Sequence, residues 1–195
     1  DGYLEEQGVD SASTTPTYAA VRLQIDNWRW QGVPFYLRSG KRLKDKLSQI
    51  TIEFKEPPQL LFPNTKERIT PNMLVLYLQP DEGVHWRFES KVPDTISELR
   101  SVDMEFHYAD SFGKIAIPEA YERLLLDTLT GDASLFTRAD EVETAWGLID
   151  PIIETWEAHK QPLATYESGS WGPAEADDLL AREQRKWSTW ERRKE

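Results

Sequence analysis

The chain contains no cysteine, which removes disulfides, a thiol nucleophile and thiolate metal ligation from its chemistry. Histidine is scarce as well. His85, His107 and His159 are isolated, none with a sequence neighbour at metal-ligand spacing, so no metal site is expected. The structural reading of His85 and His107, on the polar faces of predicted strands, is a surface or interface histidine. No apolar run approaches the roughly 20 residues that cross a bilayer; the best, Leu124-Leu125-Leu126, stops at Asp127. Positive charge is in deficit. With 23 Lys and Arg against 34 Asp and Glu, the net charge of −11 argues against a general nucleic-acid binder. Dinucleotide and nucleotide fingerprints are missing too: there is no GxGxxG or Walker motif, and Gly169-Ser170-Trp171-Gly172 has the wrong spacing. No GxSxG elbow occurs, and the many carboxylates read as solvated faces rather than a catalytic pair.

The cations that are present are unevenly spread. Arg38, Lys41, Arg42, Lys44 and Lys46 form a basic island in an acidic chain, just after a predicted strand end. Lys41 and Lys46 bring three donors each, suited to phosphate oxygens or sugar hydroxyls, while overall negative charge discourages polyanions. The plain alternative is a solvated lysine-rich turn that blunts a sheet edge.

The 195 residues suit one domain, spanning 1–195, with a core of useful size. A small polar loop covers 8–16. Ala19, Val21, Leu23 and Ile25 then alternate with Arg22, Gln24 and Asp26, the period of a strand buried on one side. Further strands are expected at Pro34–Arg38, around Ile50–Phe54, at Met73–Leu78, at Val84–Ser90 and over Val102–Tyr108. Pro57-Pro58 and Pro63-Asn64 mark a loop between the third and fourth. Short connections between the strands point to a largely antiparallel sheet.

The period then changes to that of helices. One is expected to open at Pro118 and end before Gly131; a second to start near Thr137 and be kinked or divided by Pro151; a third to run from Gly172-Pro173 to about Trp187. Strands first and helices afterwards give an α+β fold, a large mainly antiparallel sheet with helices packed on one side. Of the eight tryptophans, Trp146 and Trp156 keep the helical apolar register and are expected in a core. Trp28 and Trp30 are expected on the strand face opposite Val21 and Leu23. Stacking of a sugar on exposed tryptophan is the lesser alternative.

Four separated blocks, in order, carry a resemblance that covers essentially the whole chain. They are Thr14–Ala20, Asp26–Lys41, Pro118–Leu125 and Gly172–Asp177, the second reading Asp-Asn-Trp-Arg-Trp-Gln-Gly-Val-Pro-Phe-Tyr-Leu-Arg-Ser-Gly-Lys. The chain resembles the carboxy-terminal domain of the glucose-6-phosphate dehydrogenases. The resemblance implies an enzyme that oxidises glucose 6-phosphate to 6-phosphogluconolactone with NADP, the entry step of the oxidative pentose phosphate pathway. It implies that the lysine of the Arg-x-Gly-Lys block, here Lys41, reaches the substrate, as do Lys46 and Gln79. It also implies a cytoplasmic homodimer or homotetramer assembled through the sheet.

The amino-terminal coenzyme domain, the catalytic histidine and the phosphate-contacting motif of that family have no counterpart here, so no catalytic or cofactor residue is assigned and the chain is expected to be inactive alone. Asp1 in place of Met fits a piece of a longer polypeptide. Some members of the family hold a second, structural NADP. In this chain Trp171 stands where they carry arginine, and Leu47 and Tyr77 replace basic positions, leaving Arg38 and Arg87. A reading of another class is a non-enzymatic module that uses the sheet to assemble with itself or with another protein.

Overall fold

The computed structural model describes residues 2–56, 69–113, 120–159 and 163–190. The loop signals at Pro57-Pro58 and Pro63-Asn64 and the helix opening at Pro118 lie outside the described residues. The chain forms two compact units, one of Asp1–Asp45 with Leu126–Trp187 and one of Lys46–Leu125 with Ser188–Glu195.

In the first unit β1 (Tyr18–Gln24) pairs antiparallel with β2 (Pro34–Gly40), from Tyr18 opposite Gly40 to Gln24 opposite Pro34. Pro34 heads its strand, where a missing N–H costs the ladder least. Between the strands the Asn27 side-chain oxygen accepts the backbone N–H groups of Arg29 at 3.0 Å and Trp30 at 2.9 Å. This side-chain turn ends the strand before the tryptophans. Trp28 and Trp30 therefore sit on the turn and not on a strand face; Trp28 is fully exposed, and Trp30 meets Phe35 edge-on at 5.3 Å.

Three longer helices follow the strands: α2 (Ala120–Thr130), α3 (Ala139–His159) and α4 (Ala174–Ala181). Gly131, at φ 73, ends α2 in a left-handed residue, with Asp132 N–H on the Asp127 carbonyl and Gly131 N–H on that of Thr128. α3 begins two residues after Thr137 and runs unbroken through Pro151. Gly147, four residues before the proline, has open space where a Cβ would stand. Val142, Trp146, Ile149 and Trp156 are 41%, 56%, 38% and 47% exposed, so the expected core placement of Trp146 and Trp156 is not met. Helical spacing marks a face that wants cover; it does not supply the cover. α4 stops well short of Trp187. Gln184 takes φ 57, Arg185 N–H reaches the Leu180 carbonyl, and Gln184 N–H reaches that of Ala181, the same terminating pattern as α2 without a glycine. Ala176 and Leu180 are its buried positions.

The second unit is a four-stranded antiparallel meander of β3 (Ser48–Glu53), β4 (Met73–Gln79), β5 (Gly83–Lys91) and β6 (Leu99–His107). β6 leads directly into α1 (Tyr108–Phe112), which takes Tyr108 out of the expected strand. Register sorts the side chains onto two faces. Ile50, Leu76, Val84 and Phe106 lie opposite one another, as do Ile52, Leu74, Trp86 and Met104, and make an apolar face. Thr51, Val75, His85 and Glu105 make the second face with Met73, Arg87 and Asp103. The more polar face is the better covered. Val75, His85 and His107 are all buried there, whereas Ile52 and Met104 on the apolar face are 40% and 64% exposed.

The fold is α+β with antiparallel pairing throughout, but among the described residues the six strands hydrogen-bond as a pair and a quartet and not as one large sheet. Past Gly40 the Lys41 N–H still bonds across to Thr17, and the next backbone hydrogen bonds go to residues 166–170: Gly169 N–H to the Arg42 carbonyl at 2.9 Å, and Lys44 N–H to the Ser170 carbonyl at 2.9 Å.

Candidate functional site

Lys41 is presented by the end of β2. Its N–H donates to the Thr17 carbonyl at 2.8 Å, one step beyond the β1–β2 ladder, and its own carbonyl accepts from the Tyr166 hydroxyl at 2.8 Å. Gly40 beneath it has no room for a side chain, since a Cβ would come within 2.6 Å of Tyr18 Cδ2 and 3.1 Å of Leu43 Cδ2. Arg42 then takes φ 49 and carries an ion pair to Glu6 at 2.6 Å. The basic island is therefore not a loose turn. Its main chain is clamped while the Lys41 side chain is exposed, with no ion-pair partner among the described residues.

Lys46 and Gln79 belong to the second unit and come to one end of its sheet. Ser48, which opens β3, is paired with Gln79, which closes β4, and Lys46 precedes Ser48 by two residues. Both are exposed, and the Gln79–Pro80 peptide is cis. An exposed amide and an ammonium at one sheet end can donate to the oxygens of a polar ligand.

Other charged groups cluster where sequence patterns gave little notice. In the first unit the Arg38 guanidinium carbon lies 5.2 Å from the Trp171 ring centre and 4.6 Å from that of Trp187. Trp187 is anchored by its indole N–H on the Ala176 carbonyl at 2.9 Å. Nearby, Glu183 accepts from the Tyr36 hydroxyl and pairs with Arg22 at 2.6 Å, contacts that hold its carboxyl below the usual carboxylate range, the tyrosine first.

In the second unit Arg87 grips Asp103 with two hydrogen bonds, and His85 Nε2 lies 3.0 Å from the same carboxylate. Trp190 closes over both, 4.7 Å from the His85 ring and 4.1 Å from the Arg87 guanidinium, with its indole N–H on Met73 Sδ. His107 Nε2 meets Glu105 at 2.8 Å, and its ring stacks on Tyr77 at 5.4 Å. Burial pushes the Tyr77 hydroxyl up to about 12, with the Glu105 and Asp103 charges adding to it. His85 and His107 are thus buried residues of a covered polar face, not surface histidines. The only forewarning in the sequence is their alternation with Arg87, Asp103 and Glu105, which says they share a face but not that a tryptophan over 80 positions on will cover it.

The residues present do not fit a dinucleotide. Arg38 has its faces against two tryptophans, Arg87 is committed to Asp103 and Trp190, and no described strand leads through a glycine turn into a helix. No group of three or more metal-ligating side chains occurs among the described residues, and no described helix is long and apolar enough to cross a membrane.

Residues 1–188 match the family model described as glucose-6-phosphate dehydrogenase, C-terminal domain. Glucose-6-phosphate 1-dehydrogenase 2 of Mycobacterium tuberculosis is 48% identical over 187 residues, which is 95% of this chain and 36% of that protein. The glucose-6-phosphate 1-dehydrogenase of Aggregatibacter actinomycetemcomitans is 47% identical over 186 residues, 95% of this chain and 37% of its own length. The chain thus spans little more than a third of these relatives. Among solved structures, a glucose-6-phosphate dehydrogenase in complex with its substrate glucose-6-phosphate superposes with a TM-score of 0.83 at 32% identity, over 96% of this chain and 38% of that one. The enzyme from Mycobacterium avium gives 0.79 at 33% identity, over 98% and 39%.

Proposed function

The chain belongs to the glucose-6-phosphate dehydrogenase C-terminal domain family, and on that footing we propose that it is the substrate- and subunit-contacting part of an NADP-dependent glucose-6-phosphate 1-dehydrogenase. The whole enzyme oxidises glucose 6-phosphate to 6-phosphogluconolactone in the oxidative pentose phosphate pathway and works in the cytoplasm. The observation that carries this reading is Lys41: an exposed ammonium on a strand end whose main chain is bonded on both sides, which suits an anionic or hydroxyl-rich ligand better than a solvated turn does. Lys46 and Gln79, exposed at one end of the second unit's sheet, are read as substrate contacts on the resemblance to the family.

Residues 1–195 act in this reading as one functional domain and supply no catalytic base and no coenzyme contacts. NADP is held by polypeptide that the relatives carry beyond the matched third. The sheet also supplies the contact between subunits of a homodimer or homotetramer, for which the open apolar face around Ile52 and Met104 is the support. That same face favours the second reading, self-assembly without catalysis, and the two are compatible.

The test is an assay of NADPH formation from glucose 6-phosphate by the chain alone and by the full-length enzyme containing it. Turnover by the full-length enzyme only is expected. A full-length protein inert toward glucose 6-phosphate would sink the proposal.

A further inference from the structure

We propose that Tyr166 is a positioning residue for the substrate-contacting lysine, acting through the main chain of residues 41–44. The inference rests on the reading of Lys41 as a substrate contact and goes beyond it by saying what fixes that lysine in place.

Lys41 follows a glycine and begins a run of basic residues, a stretch with little tendency of its own to hold one conformation. Its geometry comes from a segment more than 120 positions away. The Tyr166 hydroxyl lies 2.8 Å from the Lys41 carbonyl and 3.1 Å from the Thr17 carbonyl, the group that also accepts the Lys41 N–H. A phenol has one proton to donate, and the shorter contact is the one to Lys41. Thr17 Oγ1 lies 3.4 Å from the same hydroxyl. The ring packs against Tyr18 at 5.5 Å, which limits the hydroxyl's freedom to swing away. Two main-chain bonds continue the contact, Gly169 N–H to the Arg42 carbonyl and Lys44 N–H to the Ser170 carbonyl. Residues 166–170 therefore act as a template for the basic loop, and Tyr166 is the one side chain of that template that reaches the lysine itself. A carbonyl held from one side and an N–H held from the other restrain the main chain at Lys41, so less freedom is lost when the ammonium meets a ligand.

Tyr166→Phe removes the hydroxyl and keeps the ring. In the full-length enzyme, kcat and KM for glucose 6-phosphate and the melting temperature are measured for the parent, Tyr166→Phe, Lys41→Ala and the double variant. Expected is a KM raised roughly three- to tenfold by Tyr166→Phe with kcat little changed, the size of one neutral hydrogen bond. The double variant should be no worse than Lys41→Ala, because the hydroxyl acts only through that lysine. A lowered melting temperature with unchanged KM makes Tyr166 merely structural and overturns the inference, as does a KM increase that adds in full to that of Lys41→Ala. If Lys41→Ala itself leaves the kinetics intact, the reading of Lys41 falls and this inference with it. If Lys41→Ala is impaired and Tyr166→Phe is not, only the role of Tyr166 falls.

Discussion

Arg87 and Asp103 face each other across β5 and β6 in a two-pronged contact, Nε to Oδ1 at 2.7 Å and Nη2 to Oδ2 at 3.0 Å. The Arg87 hydrogen bonds favour the charged carboxylate and hold the Asp103 carboxyl below the ordinary aspartate range, with His85 adding to the effect. In acid the unfolded chain binds the proton first. The stabilisation is therefore complete above the ordinary aspartate value and is lost as pH falls through the lower native one. Denaturant unfolding of the parent and Asp103→Asn should show a gap that narrows as pH drops through this range. A gap of constant size would contradict the assignment.

Gly172 has φ +116, and a Cβ there would lie 2.7 Å from Tyr18 Cζ. Gly172→Ala combines backbone strain with a collision against a ring, and should destabilise the first unit by roughly 2 kcal/mol or more. Gly147→Ala is the contrast, since the space around that helical glycine is open. It should cost nothing and could add up to about 1 kcal/mol. Thermal unfolding of the two variants side by side checks both.

Trp190 covers His85 and Arg87 at once. Its replacement by alanine strips the cover from a polar face and should destabilise the second unit by roughly 2–3 kcal/mol, less than full burial of a tryptophan would give because the ring is only half-buried. Hydrogen exchange at β4 and β5 should quicken in step. Unchanged protection there would show that the tail merely rests on the sheet.

Met104 lies at 64% exposure on the apolar face, on the edge strand β6. If that face joins subunits, Met104→Glu should shift the sedimentation of the full-length enzyme toward monomer, since a charge buried there has no partner. An unaltered oligomer would place the subunit contact elsewhere.

The strands were legible because period-two alternation survives in Ala19–Ile25 and Ile50–Phe54, and the ladder follows from it. The end of α2 was legible because a glycine sits at the left-handed position, whereas α4 ends in the same geometry on Gln184, a residue that carries no such signal. Trp28 and Trp30 were placed on a strand because alternation continues into a turn that Asn27 makes with its side chain. The division of the six described strands into a pair and a quartet was not legible, because alternation within a strand does not say which strands pair. For the candidate site, charge clustering and family resemblance pointed to Lys41. Tyr166, the Arg38–Trp187 stack and the burial of His85 are made by contacts across long stretches of chain, and local patterns do not encode those.

The most direct measurement is the KM for glucose 6-phosphate of the full-length enzyme carrying Lys41→Ala. A charge-assisted contact contributes roughly 1.5–3 kcal/mol, so weakening of about tenfold or more is expected, with the melting temperature unchanged because the exposed ammonium supports nothing else among the described residues. A KM equal to that of the parent would contradict the account.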